Sequence, residues 1–238
     1  PMSAYPVLYQ AEYIEKRNRL TVFFRIFMII PHVIVGYLLA IAAFFTVIAA
    51  WVMVSLTGKY PPGLYDFNAN LVRWASRLSA YAYLQVDAFP PFGFEDDPRY
   101  PVRVQFAGPL PEYSRMKAFF RLIVGIPVIV IFYALAIVYQ LCAIASWFVA
   151  VITGKLPKGL HDGLDLGLAY QAKAYAYLFL LTESYPPFSN ENPTLSGAES
   201  GGSLTSQGVF APPSEGSFAP PSEGSFAPTT QRPGGLEG

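Results

Sequence analysis

The fold is decided by residues 25–59, RIFMIIPHVIVGYLLAIAAFFTVIAAWVMVSLTGK, together with a second stretch at residues 121–155, RLIVGIPVIVIFYALAIVYQLCAIASWFVAVITGK. Each stretch has 33 residues without Asp, Glu, Lys or Arg between its terminal Arg and Lys. About 20 apolar residues suffice to cross the hydrocarbon core of a bilayer. The rest of this 238-residue chain is too small to bury two such helices. The two stretches therefore predict a membrane protein.

Both uncharged stretches carry a proline at the same place, Pro31 and Pro127. Proline suits the first turn of a helix and disfavours helix in the residue before it, so we expect a break at each. A helix from either proline to Gly58 or Gly154 would be about 42 Å long, enough to span a membrane. Six residues near the helix ends are predicted membrane-interface anchors: Arg25, Trp51, Lys59, Arg121, Trp147 and Lys155.

The chain is a tandem duplication. A shift of 96 residues aligns residues 19–92 with residues 115–188 without a gap, and roughly a third of the positions are identical. The entry segments also match, and Val102, Val104 and Phe106 alternate with polar residues as in a short strand. We therefore divide the chain into repeat units 1–96 and 97–188, and we expect the entry strands to pair outside the membrane.

Each repeat continues into a second, more polar predicted helix, residues 63–86 and 159–181. In the first repeat its polar residues recur every three or four positions and so form one stripe. The second repeat keeps only part of that stripe. The residues predicted to contact lipid or a partner are Asp66, Asn70, Arg73, Arg77, Asp162 and Lys173.

Basic residues precede both long helices, which predicts that both N-terminal flanks are cytoplasmic. Two helices that run the same way need an even number of crossings between their starts. The preferred topology therefore has four crossings, parallel repeats and cytoplasmic termini. The alternative has two crossings, inverted repeats and two interfacial helices. The predicted fold class is an all-α integral membrane protein of tandem duplicated helical hairpins, with short extramembrane β segments.

Residues 189–238 are rich in Pro, Ser and Gly and predict a disordered tail. An eight-residue unit there recurs from Phe210, Phe218 and, in part, Phe226. These phenylalanines are candidate anchors for a tail-binding partner. A plain flexible tether is the simpler interpretation.

Composition argues against several functional classes. The net charge is zero, with 16 basic and 16 acidic residues, so we expect no nucleic-acid partner. One cysteine and two histidines are too few for a zinc cage made by the protein alone, and we expect neither metal nor cofactor. His161 with Asp162 and Asp165 is the nearest approach to a catalytic cluster, and a structural role explains it better. With no nucleophile elbow or dinucleotide fingerprint, the sequence does not predict an enzyme.

The chain resembles a bacterial membrane family known as domain of unknown function 4389, in two tandem copies. The motifs that carry this resemblance are Phe23-Phe24-Arg25, Thr57-Gly58-Lys59-Tyr60-Pro61, Gly63-Leu64-Tyr65-Asp66-Phe67, Arg73-Trp74 and Pro90-Pro91-Phe92. The second copy departs from the pattern at His161, Gly163 and Ala169. The resemblance implies a bacterial integral membrane protein and implies no reaction, substrate or catalytic residue. We expect a multi-pass protein of the bacterial cytoplasmic membrane.

We therefore expect a non-enzymatic accessory or structural protein. It would pack against a larger membrane complex or organise lipid. The alternative is a small transporter, channel or lipid-binding protein that uses the interface between the repeats.

Overall fold

A computed structural model describes residues 5–94, 97 and 99–188. The predicted tail, with Phe210, Phe218 and Phe226, lies outside the described residues. The described part is mostly helical, with one small sheet. Its elements are β1 (Val7–Ala11), α1 (Arg19–Met28), α2 (Ile30–Thr57), α3 (Pro62–Ala82), β2 (Val102–Phe106), α4 (Arg115–Phe119), α5 (Arg121–Thr153) and α6 (Lys158–Leu178).

The two predicted apolar helices are present as α2 and α5. Their mean hydropathies reach 2.5 and 2.7, and both are long and apolar enough to cross a membrane. Each ends at a glycine in the left-handed conformation, Gly58 at φ 72° and Gly154 at φ 70°. A glycine in this conformation is the usual way to terminate a helix, because it has no Cβ to clash with the preceding turn.

The predicted break at proline holds only in the first repeat. There the chain kinks at Ile29, and Pro31 lies in the first turn of α2. In the second repeat the break occurs at Phe120, and Pro127 lies inside α5. The effect of proline on the preceding residue is a bias that packing can override. Here Gly125 and Val128, on either side of the proline, are buried in the fold.

Each long helix forms an antiparallel hairpin with the polar helix that follows it. In the first hairpin, Thr46 near the middle of α2 donates to Asn68 of α3 over 2.7 Å. His32 at the start of α2 hydrogen-bonds the Pro90 carbonyl beyond the end of α3, at 2.9 Å. In the second hairpin, Phe132 of α5 packs on Tyr175 of α6, with ring centroids 5.7 Å apart. The duplicated hairpins are thus present as predicted.

The two hairpins point in opposite directions. Tyr60, just before α3, donates to the Phe179 carbonyl at the end of α6 over 3.0 Å. Gln85, just after α3, donates to Asp165 near the start of α6 over 3.0 Å. α3 and α6 are therefore antiparallel, and so are α2 and α5. The preferred expectation of parallel repeats is not what these contacts give, because they join the end of each polar helix to the start of the other. The inverted arrangement was the predicted alternative.

The entry strands pair with each other, as predicted. β1 and β2 form an antiparallel two-stranded sheet, hereafter the ribbon, in which Val7 lies opposite Phe106. The ribbon lies on one side of the polar helices, with β1 against α6 and β2 against α3. On α3, Arg73 contacts β2 and Asn68 contacts α2. The ribbon and the long helices thus lie on different sides of the polar helices.

Candidate functional site

The predicted polar stripe of the first repeat lies under the ribbon. Arg73 donates from Nε to the Val104 carbonyl of β2 over 3.1 Å and from Nη1 to Asn70 over 2.6 Å. Its guanidinium also lies 5.1 Å from the centre of the Phe106 ring. Arg77 is 2% exposed and lies over the Tyr100 ring. Arg73 thus holds β2 onto α3, and Arg77 packs against Tyr100, two residues before β2.

Lys173 occupies the place in the second repeat that Arg77 occupies in the first. It is 4% exposed, and its Nζ lies 5.8 Å from the centre of the Tyr5 ring. Burial lowers its pKa to about 8. Asp66 and Asp162, by contrast, are exposed at the starts of α3 and α6. The structure therefore separates the predicted stripe into two exposed carboxylates and four buried or half-buried polar side chains: Asn70, Arg73, Arg77 and Lys173.

Two of the six predicted anchors are buried in the fold. Arg25 is 3% exposed, donates to the carbonyls of Tyr81 and Val86, and pairs with Asp87. Arg121 is 3% exposed, donates to the Thr182 carbonyl over 2.9 Å, and lies 3.9 Å from the centre of the Tyr177 ring. Each arginine donates to one or two carbonyls at or just beyond the C-terminal end of the polar helix of its own repeat.

The other four predicted anchors lie nearer the surface. Lys59 and Lys155 are exposed, and Trp51 and Trp147 are half-buried. Lys155 pairs with Glu15 at 3.1 Å, where the end of α5 meets the segment before α1. An anchoring role for these four side chains stays a prediction.

Sequence reasoning missed a buried polar network between the repeats. Gln85 is fully buried, accepts a hydrogen bond from the Tyr9 hydroxyl and donates to Asp165. Arg17 donates to the Gln85 carbonyl over 2.7 Å. Gln85 and Asp165 are isolated polar residues in apolar segments, which is only a weak sequence signal for such a network. We interpret the network as structural, because its members form hydrogen bonds with one another.

His161 is a packed side chain. It is 5% exposed, and Tyr13 meets its ring edge-on with ring centroids 5.0 Å apart. Burial lowers its pKa, which favours the neutral ring. Within the described ranges there is no group of three or more His, Cys, Asp or Glu residues placed to hold a metal.

Two cavities are lined in part by residues that match between the two repeats. The large cavity, of about 530 Å³, lies between α2 and α3 and is bounded by Leu122 and Phe179 of the second repeat. The small cavity, of about 350 Å³, lies between α1, the end of α3, and α5. Its lining residues Ile26 and Tyr83 precede Leu122 and Phe179 by the repeat shift of 96 residues.

An extensive apolar face is formed by the outward sides of α2 and α5. Only 11% of the most apolar 18-residue stretch of α2 is buried, and 22% of the corresponding stretch of α5 is buried. Bulky side chains cover this face: Tyr37, Leu38, Phe44, Phe45 and Leu56 on α2, and Val130, Tyr133, Ile137, Leu141, Phe148 and Ile152 on α5. An exposed apolar surface of this extent is typical of a membrane or protein contact.

Comparison with known proteins supports the two-copy organisation. The model of the family DUF4389, described as a domain of unknown function, matches residues 19–93 and again residues 115–190. This confirms the resemblance found in the sequence. No curated protein and no solved structure matches the chain.

Proposed function

The chain belongs to the DUF4389 family, and we propose that it is a non-enzymatic membrane protein that lies within one leaflet of a bacterial cytoplasmic membrane. In this arrangement α2 and α5 lie in the plane of the bilayer, and the ribbon faces water. The protein then organises lipid beneath its apolar face and serves as an accessory element of a larger membrane complex.

The position of the ribbon carries this proposal. If α2 crossed the bilayer, α3 would lie beside it at the same depth. The ribbon would then lie near the bilayer centre, because Val104 is bonded to Arg73 in the middle of α3. A two-stranded ribbon has open edges, and hydrocarbon offers no partner for their backbone N–H and C=O groups. An in-plane α2 keeps these edges in water.

The chain between the two repeats leads to the same arrangement. This segment starts near the N-terminal end of α2, where the Pro90 carbonyl contacts His32. It reaches the C-terminal end of α2, where the backbone N–H of Tyr113 donates to the Gly58 carbonyl over 2.8 Å. Between these points lies Arg99, whose side chain is 91% exposed. A spanning α2 would draw this polar segment through the membrane, at a high cost in free energy.

Charge supports the in-plane arrangement independently. Basic residues precede both long helices and predict that both flanks lie on the cytoplasmic side. Antiparallel helices that both span the bilayer would place these flanks on opposite sides. Antiparallel helices that lie in the plane keep both flanks on one side.

Depth measurement tests this proposal. Single cysteines replace Ile34, Ile41 and Ile48, which are exposed on α2 at intervals of seven residues, in a Cys142→Ala background. A bimane label at each site is quenched by lipids that carry a doxyl group at different depths. We expect the same shallow depth at all three sites. A spanning α2 would place the outer two sites about 10 Å shallower than Ile41, and that pattern would contradict the proposal.

A matched label on the ribbon is the control. Gln105→Cys lies beside Val104 and is half-buried. The in-plane arrangement leaves it beyond the reach of lipid quenchers, whereas a spanning hairpin places it near the bilayer centre.

Mild extraction from the source membrane, followed by mass spectrometry of co-purifying proteins, tests the accessory role. Recovery of the chain as a lone monomer would exclude a stable complex.

A further inference from the structure

We propose that the large cavity between α2 and α3 holds one acyl chain of a membrane phospholipid. This inference rests on the proposed function, because the phospholipid enters from the bilayer that covers the apolar face. It adds a defined binding site to a surface that otherwise contacts lipid without specificity.

The chemistry of the cavity fits a hydrocarbon chain. Its walls are Gly, Ala, Leu, Val, Ile and aromatic side chains, without a charged residue among them. Its volume of about 530 Å³ falls in the usual range for small-molecule sites. A methylene group is about as large as a water molecule, roughly 30 Å³, so the space takes on the order of a dozen or more chain carbons.

The mouth of the cavity lies on the apolar face. Phe44, Ile48 and Leu122 line the cavity, and they are 63%, 44% and 67% exposed. A chain that enters between them would come sideways from the lipid layer. A methylene group that moves from the lipid layer into the cavity gains only packing contacts, because both environments are apolar. The site therefore selects a chain by shape.

The cavity exists because α2 carries small residues where α5 carries large ones. Gly36 and Ala43 line the cavity, and the repeat places Phe132 and Tyr139 at the matching positions of α5. A Cβ atom on Gly36 would lie 3.3 Å from the Trp74 ring. On α5 the Phe132 and Tyr139 rings stand at these positions, whereas on α2 the ring that a Cβ atom on Gly36 would meet is that of Trp74 from α3.

The small cavity is more polar and smaller than the large cavity. It includes Gln140 and Tyr83 where the large cavity has Phe44 and Phe179, and Arg25 also lines it. Polar groups in its wall and a volume of about 350 Å³ make it a poorer site for a hydrocarbon chain.

Native tryptophans report on both cavities, since Trp74 lines the large one and Trp147 the small one. The test uses the full chain in detergent, with one of these tryptophans kept and the others changed to Phe. Phosphatidylcholine with a doxyl group on one chain is added at increasing ratios. We expect quenching of Trp74 to saturate near one phospholipid per protein chain. Quenching of Trp147 should be weak and should not saturate.

Filling the cavity gives the decisive comparison. Ala43→Phe and Ala75→Leu each place added carbons in the large cavity, and the matched control Ala143→Leu does so in the small one. We expect both test variants to raise the phospholipid ratio that gives half-maximal quenching of Trp74 more than about ten-fold. The control should leave this ratio unchanged. Equal quenching in all variants would overturn the proposal, and two independent test variants guard against misfolding of one.

A parallel titration with doxyl stearate identifies the source of the chain. Saturation by phosphatidylcholine supports the assignment to a membrane phospholipid. Saturation by the free acid alone overturns that assignment in favour of a fatty acid. These titrations use detergent solution and are independent of the depth measurement in bilayers. Loss of the equal-depth pattern would contradict the in-plane arrangement, and loss of saturable quenching would contradict the acyl-chain site.

Discussion

The two hairpins descend from one sequence unit, yet they pack differently. In the second hairpin, Gly163 and Gly167 of α6 let α5 approach so closely that an added Cβ would lie 2.7 Å from the Cys142 sulfur or 2.5 Å from the Tyr139 ring. In the first hairpin the matching residues of α3 are Phe67 and Leu71, and the large cavity remains between the helices. One hairpin is thus closed by glycine, and the other retains an internal space.

Two copies of one sequence unit therefore differ in how tightly their helices pack. α5 and α6 make the more extensive helix contact. The first repeat instead contributes Arg73, which holds β2. Substitutions at Gly167, Arg25 and Arg121 would distinguish the tightly packed hairpin from the looser one.

The largest effect is expected at Gly167. In Gly167→Ala the new Cβ would lie 2.8 Å from the Tyr139 Cβ, which cannot move without its helix. We expect the free energy of unfolding to fall by about 3 kcal/mol, at the upper end of overpacking costs. Denaturation in detergent followed by circular dichroism measures it. The control is Gly159→Ala in the same helix, where the new Cβ has open space. An equal effect at both sites would show that helix contact is not the cause.

A smaller effect is expected at the paired arginines. Arg25 satisfies two carbonyls and pairs with Asp87, whereas Arg121 has one hydrogen bond to a carbonyl in addition to its contact with Tyr177. We expect Arg25→Leu to cost about 2 to 3 kcal/mol of unfolding free energy and Arg121→Leu about 1 kcal/mol less. The same denaturation assay compares them. A larger loss at Arg121 would reverse the ranking and weaken this account of the first repeat.

The smallest effect is the pH dependence due to Lys173. Burial lowers its pKa to about 8, so the folded state releases this proton more readily than the unfolded chain, where the pKa is 10.5. The destabilisation by the buried charge therefore diminishes as the pH rises above 8. We expect the free energy of unfolding to rise by about 1 to 2 kcal/mol from pH 8 to 9.5, relative to Lys173→Met. Identical pH profiles of wild type and variant would refute this.

Much of the fold could be predicted because its signals are local. Continuous apolar composition predicted α2 and α5, and the spacing of matched residues predicted the duplication. The glycines at 58 and 154 marked the helix ends. Alternation in β2 predicted a strand, and equivalence of the entry segments predicted its partner. Pro127 was misleading, because its local bias was weaker than the packing of α5 on α6.

The candidate sites could be predicted only in part. The stripe residues were identified, but an arginine that meets lipid and one that meets a backbone carbonyl look alike in sequence. Arg25 and Arg121 were predicted anchors for this reason, and the structure turns them inward. The large cavity had no sequence signal that we recognised, although Gly36 opposite Phe132 in the repeat alignment would have been one.

The helices, the duplication and the membrane-like composition of α2 and α5 could be inferred without a structure, because each depends on residues close together in the chain. The opposite directions of the hairpins, the packing of Arg73 beneath β2 and the cavity in the first hairpin followed only from the three-dimensional packing. These features depend on contacts between residues 60 and 179, 85 and 165, or 73 and 104. Such contacts are set by the joint packing of whole elements, which no local pattern encodes.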